Sequence, residues 1–381
     1  GSDLSHPDFT FDLPADLVAQ SPPERRGDSR LLLVEPDEGP VGERVFRELP
    51  GLLRAGDLLV VNESRVLPAR LEAERVDTGG RVEILLVRPS GEDLTWIAMA
   101  RPARRLRAGV RLEVAGDLLE VTGKRKDGMV TVRGDRDPAL IAEDRGVMPL
   151  PPYIRREADD PRGMEDRQRY QTVFASNQPG SVAAPTAGLH FSASTMDALE
   201  QKRVGMARVT LHVGPGTFQP PTGEQIAARR LHREFFHVAE DTSRRIADTR
   251  ASGGRVIAVG TTSLRVLETV ARLDLPANGG PNRLVRDDAG GFFDGEAARV
   301  DGAWTVAGST RLFIAPPDRV SCVDGLITNF HLPGSSLLML VASVAGDPAW
   351  RKVYDHAVAE RMRFYSYGDC MLIMPGLGGA T

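Results

Sequence analysis

The sequence is poor in cysteine and has no long apolar segment. Its 381 residues include only two cysteines, Cys322 and Cys370, and no C-x-x-C pair. Two thiols cannot form a disulfide framework, a zinc ribbon or a cysteine-ligated iron–sulfur cluster. No apolar run approaches the roughly 20 residues that a membrane-spanning helix needs. The first residues also lack a basic region followed by an apolar core, so we expect a cytoplasmic protein.

Motifs of several common enzyme classes are missing as well. The sequence contains no G-x-G-x-x-G, no G-x-x-x-x-G-K-[ST], no H-E-x-x-H and no G-x-S-x-G. These absences argue against a nicotinamide enzyme, a P-loop nucleotidase, a zinc peptidase and a serine hydrolase. We therefore expect neither a metal site nor a resident cofactor.

The overall charge does not indicate a nucleic-acid-binding protein. The formal net charge is −4, with 26% charged and 41% hydrophobic residues, which is ordinary for a globular protein. An acidic protein can still carry a basic face. Eight basic side chains occur between residues 101 and 126. They indicate either a nucleic-acid-binding surface or a solvated charged face.

The apolar pattern predicts a discontinuous α/β domain interrupted by a small barrel. Short β-like runs separated by glycine-rich turns recur from residue 71 to 149, which is typical of a small closed β-barrel. Strands alternate with helices on either side, over residues 8–70 and 150–381, which favours a large mixed α/β domain. Residues 276–306 are rich in Gly, Asp and Asn, and we expect a mobile surface excursion there.

Two polar clusters carry histidine. His190 follows a Pro/Gly-rich turn, where it suits a general acid or base, although capping of the next helix explains it equally well. His331 lies in the segment 324–336 with Asp324 and Asn329, a density of polar groups that packing alone hardly explains. His212 lies within a predicted strand and is either a site or a core residue.

Three further clusters suit ligand binding. Gly214 and Gly216 end a strand and either let the backbone approach a ligand or form a tight turn. Thr261 and Thr262 begin a helix, where free N–H groups and hydroxyls suit a carboxylate or phosphate, unless they only cap the helix. The segment 62–65 is a similar polar patch.

These clusters closely resemble the S-adenosylmethionine:tRNA ribosyltransferase-isomerase family of queuosine biosynthesis. The resemblance covers nearly the whole chain and departs from the family modestly, at Asn62-Glu63-Ser64-Arg65, where members often have Asn-Asp-Thr-Arg. The matching segments are FDLP (11–14), QSP (20–22), RLL (30–32), NESRVLPAR (62–70), YQTVF (170–174), PTAGLHF (185–191), LHVGPGTF (211–218), GTTS (260–263), TNFHLP (328–333) and RFYSYGD (363–369).

The resemblance implies a large α/β domain with an inserted barrel, and it implies a reaction. The ribosyl group of S-adenosylmethionine moves to 7-aminomethyl-7-deazaguanine at the wobble position of a tRNA and isomerises to an epoxycyclopentanediol. Epoxyqueuosine-tRNA forms, and adenine and methionine leave. S-adenosylmethionine is then a consumed substrate rather than a cofactor. The expected partners are this donor and the tRNA, and we expect a monomer.

That reaction requires proton transfers, which positioned histidines of near-neutral pKa suit best. The sequence does not tell which residue is base and which is acid. The candidate catalytic residues are His190, His331 and Asp324. The candidates for binding the donor or the modified base are Asn62, Arg65, Thr186, Gly214, Gly216, Thr217, Thr261, Thr262 and Asn329. The candidates for binding tRNA are Arg101, Arg104, Arg105, Lys124 and Arg125.

Two alternatives remain open at this point. A methyltransferase using the same donor would normally show a glycine-rich loop after its first strand, which this sequence lacks. An RNA-binding module would leave the polar clusters of the α/β domain without a role.

Overall fold

The protein is described by a computed structural model over residues 6–157, 160–176, 179–181, 183–218, 220–287 and 291–379. The strands in chain order are β1 (Arg30–Glu35), β2 (Gly39–Val45), β3 (Leu58–Asn62), β4 (Arg65–Val66), β5 (Arg70–Arg75), β6 (Arg81–Pro89), β7 (Thr95–Arg101), β8 (Arg111–Val114), β9 (Asp117–Lys124), β10 (Val130–Gly134), β11 (Pro179–Ser181), β12 (Gly205–Leu211), β13 (Arg230–Val238), β14 (Val256–Val259), β15 (Arg283–Arg286), β16 (Phe293–Val300), β17 (Ala303–Leu312), β18 (Gly325–Asn329) and β19 (Cys370–Ile373). The helices are α1 (Pro138–Arg145), α2 (Gly163–Arg169), α3 (Ala193–Gln201), α4 (Gly223–Ala228), α5 (Glu240–Ala251), α6 (Gly260–Arg272), α7 (Ser336–Ala345) and α8 (Ala349–Ala359).

One large mixed sheet organises the α/β domain. Its strand order is β15-β16-β17-β13-β12-β3-β14-β18-β19-β1-β2. The strands β12, β3, β14 and β18 run parallel to one another, and antiparallel strands flank them on both sides. The expected fold class, a mixed α/β domain with an inserted closed barrel, is confirmed.

The central strands are apolar because both faces of the sheet are covered. Every residue of β3, β14 and β18 is buried. Alternate side chains enter two separate cores: Val60 and Ala258 pack on the side of α6, while Val61 and Val259 pack against the side that contains Phe191. Strands buried on both faces have continuous rather than alternating apolar runs.

The barrel is a closed six-strand sheet with its own core. Its strand order is β10-β7-β6-β5-β8-β9. Burial alternates along the strands, so that Leu71, Ile84, Val121 and Val132 point inward. This period of two is expected of strands with one face in a barrel core and the other in solvent. Helix α1 packs against the same core through Ile141.

The chain enters and leaves the barrel through two segments that pair with each other. The Arg70 and Val147 backbones exchange two hydrogen bonds, of 3.2 and 2.9 Å. A Cβ added at Gly146 would lie 1.7 Å from the Pro68 carbonyl oxygen, so only glycine fits there. The entry and exit of the insertion are therefore fixed against each other.

The segment 276–306, expected to be a surface excursion, forms regular strands over its described part. Strands β15 and β16 and the start of β17 form there and extend the large sheet. The Trp304 indole N–H donates to the Pro276 carbonyl at 3.0 Å, and the Arg299 guanidinium lies 4.9 Å from the Trp304 ring centroid. Glycine and aspartate occupy the Asp301-Gly302 turn of the hairpin, where they are common. Composition alone concealed the strand pairing.

The sequence predicts no membrane-spanning helix, and the lengths of the described helices can be compared with that prediction. None of these helices is long and apolar enough to span a bilayer.

A buried ion pair fixes the start of the central strand β3. The Asp57 carboxylate accepts hydrogen bonds from the Arg54 amide at 2.7 Å and from the Arg255 guanidinium at 3.0 and 2.7 Å. Only 2% of the Asp57 side chain is exposed. Because removal of one partner leaves the other charge uncompensated, Asp57→Ala should lower the free energy of unfolding by about 3–5 kcal/mol. Urea denaturation followed by circular dichroism measures this change.

The matched control is Asp28→Ala, which removes a solvent-exposed partner of Arg47. We expect that variant to change the free energy of unfolding by at most about 1 kcal/mol. Equal effects of the two substitutions would contradict the structural role assigned to Asp57.

Candidate functional site

The polar clusters of the sequence meet at one edge of the large sheet. Asn62 ends β3, Gly260 follows β14 and Asn329 ends β18. The segment after β12, which contains Gly214 to Thr217, reaches the same edge because β12 is parallel to β3. Ligand sites of α/β sheets commonly lie outside the carboxyl ends of parallel strands.

A central pocket lies at this edge. Six of the candidate residues line it, namely Thr186, Thr217, Thr261, Thr262, Asn329 and His331. The other lining residues are Ala183, Ala184, Pro185, Ala187, Val213, Gly260, Thr328, Leu337, Tyr365 and Ser366. Small and hydroxylated side chains therefore surround one amide and one histidine.

The start of α6 faces this pocket without a side-chain cap. Gly260 adopts a φ of 88°, which favours glycine, and turns the chain from β14 into the helix. The N-cap position is Val259, which has no side-chain acceptor, and the buried Thr262 hydroxyl has no hydrogen-bond partner in the described residues. Capping does not explain these threonines. The uncapped N–H groups and this hydroxyl are suited to bind an anionic group.

The Asn329 amide is held on both sides. Its Nδ2 donates to the carbonyl oxygens of Tyr365 and Ser366, at 2.9 and 3.1 Å. Its Oδ1 therefore faces His190 and accepts a hydrogen bond from Nε2–H at 2.7 Å. His190 is thus fixed in the Nε2–H tautomer.

His190 lies behind the central pocket rather than in its wall. Its ring packs on Phe46 and borders a smaller cavity lined by Pro22, Arg26 and Tyr367. Burial lowers the pKa of His190, so the imidazole is neutral at pH 7. The alternative of helix capping is wrong, because Ser192 caps α3.

His331 lies in the wall of the central pocket. The Thr328 hydroxyl donates to the Asn329 carbonyl at 3.2 Å, so it accepts from Nε2–H of His331 at 2.8 Å. The other ring nitrogen, Nδ1, then carries the unprotonated lone pair. Burial lowers the pKa of His331 to about 3, in contrast to the near-neutral value expected from the sequence. A cationic ligand entering the pocket meets no charge on this ring.

Two candidates have structural roles instead. The Asn62 amide bridges β3 and β12: Nδ2 donates to the Leu211 carbonyl at 3.0 Å, and Oδ1 accepts from the Ser64 and Leu211 amides, each at 3.1 Å. Asp324 precedes β18, at the opposite edge of the sheet from His331. It is exposed and accepts a hydrogen bond from the Val256 amide at 2.8 Å. The expectation that Asp324 shares a site with His331 is wrong, because β18 lies between them.

Three other candidates lie beside the central pocket. Arg65 lies in β4, outside the pocket wall, and its buried Nε has no hydrogen-bond partner in the described residues. The Gly214 amide donates to Glu234 at 2.8 Å. A Cβ at Gly216 would lie 2.8 Å from the His232 ring. Gly216 thus allows close packing of the loop after β12, and Gly214 fixes that loop through its amide.

A charged pair that is not among the candidates predicted from the sequence lies beside the pocket. Glu234 pairs with Arg265 in the interior, and its Oε2 accepts from the Gly214 amide and, at 3.2 Å, from the Thr217 hydroxyl. His232, Glu234 and Arg265 line a second cavity that shares Thr217, Thr261 and Thr262 with the central pocket. The sequence signal for Glu234 is an acidic residue at a buried position of the alternating strand β13.

The basic candidates lie on one side of the barrel. Arg101, Arg104 and Arg105 are exposed and form no ion pair within the described ranges. The Lys124 ammonium reaches the Ala103 carbonyl at 3.5 Å, which places it against the same loop. Arg125 differs, since it pairs with Asp127 at 3.3 Å.

No metal centre is evident in the part of the chain that the structure describes. Groups of three or more His, Cys, Asp or Glu side chains suited to a metal ion are not found there.

Glu234 should make folding stability depend on pH. Burial alone would raise the pKa of Glu234. The electrostatic effects of Arg265 and His232, together with hydrogen bonds from His232 and the Gly214 amide, instead lower it from 4.5 to about 2. A carboxyl pKa that is lower in the folded than in the unfolded state stabilises the fold at pH values above the unfolded-state pKa. This stabilisation is lost as the pH falls toward the folded-state pKa. The free energy of unfolding of the wild type should therefore fall more steeply than that of Glu234→Gln between pH 4.5 and about 2.

Chemical denaturation at several pH values measures both slopes. The control is Glu120→Gln, an exposed position on the barrel, which should keep the wild-type profile. Parallel profiles for the wild type and Glu234→Gln would contradict the assigned ionisation.

Comparison with known proteins identifies the family of this chain. A family model described as queuosine biosynthesis protein matches residues 6–373. The S-adenosylmethionine:tRNA ribosyltransferase-isomerase of Thiobacillus denitrificans is 47% identical over 368 residues, which cover 96% of each chain. The enzyme of that name from Acidithiobacillus ferrooxidans is 45% identical over 374 residues, covering 97% of this chain and 98% of the relative.

A solved structure shows the same relationship. The S-adenosylmethionine tRNA ribosyltransferase of Thermotoga maritima matches with a TM-score of 0.52 and 32% identity, over 96% of this chain and 100% of that one. The chain belongs to the S-adenosylmethionine:tRNA ribosyltransferase-isomerase family of queuosine biosynthesis.

Proposed function

We propose that this enzyme transfers and isomerises the ribosyl group of S-adenosylmethionine onto 7-aminomethyl-7-deazaguanine at the wobble position of a tRNA. The products are epoxyqueuosine-tRNA, adenine and methionine. The observation that carries the proposal is a pocket at the sheet edge that combines a neutral histidine, His331, with the uncapped start of α6. Family membership supports it at a coarser level.

The pocket suits a donor that carries a positive sulfur and a carboxylate. The first N–H groups of α6 and the Thr262 hydroxyl bind the carboxylate in this proposal. His331 is neutral, so it does not repel the sulfonium. Because the sulfonium activates the ribose by itself, the proposal needs no metal and no resident cofactor.

The chemistry assigns different roles to the two histidines. The sulfonium acidifies the hydrogens of the ribose 5′ carbon, and the unprotonated Nδ1 of His331 accepts one of them in this proposal. The imidazolium formed in this step then gives the proton to the departing adenine. His190 does not border the pocket, and we propose that it acts by holding Asn329 in place.

The tRNA is held by the exposed arginines of the barrel in this proposal. Phosphate contacts release counterions, so tRNA affinity should depend steeply on salt. The protein works as a cytoplasmic monomer in this proposal.

The first functional test follows adenine. Incubation of the enzyme with S-adenosylmethionine and a tRNA that carries 7-aminomethyl-7-deazaguanine should release adenine and methionine, measured by liquid chromatography. The same tRNA with guanine at that position should give no release above background, because it lacks the nucleophilic aminomethyl group.

Each alternative has its own outcome in this test. A methyltransferase would form S-adenosylhomocysteine without adenine. An RNA-binding module would bind the tRNA without consuming the donor. Equal rates with the two tRNAs would show that the assigned acceptor is wrong.

The second functional test concerns His331. His331→Ala should lower kcat by about a hundredfold or more while circular dichroism stays unchanged, because a positioned proton transfer contributes roughly 10²–10⁴-fold. His237→Ala is the matched control, since His237 is exposed on β13. Full turnover of the His331 variant would remove this residue from the chemistry.

A further inference from the structure

An exposed aromatic side chain is held rigidly beside the central pocket. Tyr153 is 46% exposed. The Gln20 side chain fixes its backbone: Nε2 donates to the Tyr153 carbonyl at 2.9 Å, and Oε1 accepts from the Arg155 amide at 2.9 Å. The ring is therefore presented to solvent from an ordered segment.

Tyr153 stands between the central pocket and a groove. Its ring lies edge-on to Tyr365, with 5.4 Å between the centroids and an interplanar angle of 82°. Tyr365 lines the central pocket. On the other side, Pro152 borders a groove between the barrel and the α/β domain, here called the junction groove. Its lining residues are Arg70, Glu83, Leu85, Met99, Ala100, Arg101, Pro149, Leu150, Pro152 and Pro215.

The junction groove opens onto uncompensated positive charge. Arg101 lines it and begins a loop with the exposed Arg104, Arg105 and Arg107, and none of the four forms an ion pair within the described ranges. Arg155, two residues from Tyr153, is likewise exposed and unpaired there. Elsewhere in the groove Arg70 lies 3.9 Å from Glu83.

Two neighbouring arginines, in contrast, form ion pairs. Arg156 forms a two-pronged pair with Asp166, at 2.8 and 3.1 Å. Arg162 pairs with Asp160 at 2.7 Å. These two arginines are paired with carboxylates, whereas Arg101, Arg104, Arg105, Arg107 and Arg155 form no ion pair within the described ranges.

We propose that Tyr153 is a stacking platform for an unpaired RNA nucleotide next to the modified base, and that the adjoining RNA backbone follows the junction groove toward Arg101. The inference rests on the proposed function and names the RNA-binding surface of that same site.

The chemistry of single-stranded RNA fits these groups. Unpaired bases stack on exposed aromatic rings, which contributes roughly 1–3 kcal/mol per base. A base that enters an enzyme pocket must leave its own stack, so its neighbour loses a stacking partner that Tyr153 can replace. Arginines along the groove then contact the phosphates.

The experiment uses an RNA stem-loop that carries 7-aminomethyl-7-deazaguanine at the wobble position and 2-aminopurine at either neighbouring position. Stacking quenches 2-aminopurine, so binding to the wild type should lower the fluorescence at one of the two positions. Tyr153→Ala should abolish that quenching and weaken RNA binding by roughly 5- to 150-fold, the range that corresponds to 1–3 kcal/mol. Tyr153→Phe should retain both properties, because the aromatic face remains.

The charge contribution is measured separately. Arg101→Gln and Arg155→Gln should each lower the slope of log affinity against log salt by about one unit while quenching is kept. Tyr153→Ala should leave that slope unchanged, and every variant should keep the wild-type affinity for S-adenosylmethionine. Matched controls are Leu140→Ala, another exposed apolar side chain, and Arg319→Gln, whose exposed partner is Asp37.

Two results would overturn the inference. RNA affinity and quenching of Tyr153→Ala equal to those of the wild type would exclude stacking at this position. A loss in Tyr153→Phe as large as in Tyr153→Ala would assign the effect to the hydroxyl group. Failure of the wild type to release adenine from this RNA is a different outcome, because it would overturn the proposed function itself.

Discussion

The pocket depends on the hydrogen bonds of one buried amide. Asn329 ends β18, and its side chain binds the Tyr365 and Ser366 carbonyls on one side and His190 on the other. Three segments that are distant in sequence therefore meet at a single group. A buried amide with satisfied partners has one stable orientation, because any rotation would leave donors and acceptors unpaired in the interior. The tautomer of His190 follows from this arrangement, and so does the position of the 365–366 turn in the pocket wall.

A buried charge pair maintains the opposite wall. Glu234 and Arg265 compensate each other in the interior, and the Arg265 guanidinium also donates to the Leu312 carbonyl at 3.1 Å. A buried ion pair is often no more stabilising than apolar residues of similar volume, so stability alone does not explain it. Its second effect is geometric. Glu234 accepts from the Gly214 amide and the Thr217 hydroxyl, and this fixes the loop after β12 at the pocket.

The sequence predicted the fold well, because the fold depends on local patterns. Short β-like runs separated by glycine-rich turns indicated the barrel, and apolar runs indicated β3 and β14. The sequence also identified several residues of the pocket wall, and the structure adds that they meet at one edge because they follow parallel strands. The strands β15 and β16 escaped detection because turn residues dominate the composition of that segment.

Individual roles were harder to predict, because they depend on contacts between distant residues. Asp324 and His331 belong to one dense motif, yet β18 separates them by roughly 17 Å, at about 3.3 Å per residue. Glu234 is buried on the same face of β13 as Phe236 and Val238, and the alternation of the strand places all three on that face. Its partner Arg265 lies on another element, and no local pattern predicts that pairing.

The segment that leaves the barrel is joined to the pocket wall through hydrogen bonds rather than through apolar contact alone. Asp166 accepts a bidentate pair from Arg156 and, at 2.9 Å, a hydrogen bond from the Tyr367 hydroxyl. Arg156 also donates to the Gln20 carbonyl at 2.7 Å, and Gln20 fixes the backbone of Tyr153.

Tyr367 adjoins the 365–366 turn that binds Asn329. The segment that leaves the barrel is thus positioned against the same turn that orients His190. This network holds the exposed surface beside Tyr153 at a fixed place relative to His190 and the pocket wall.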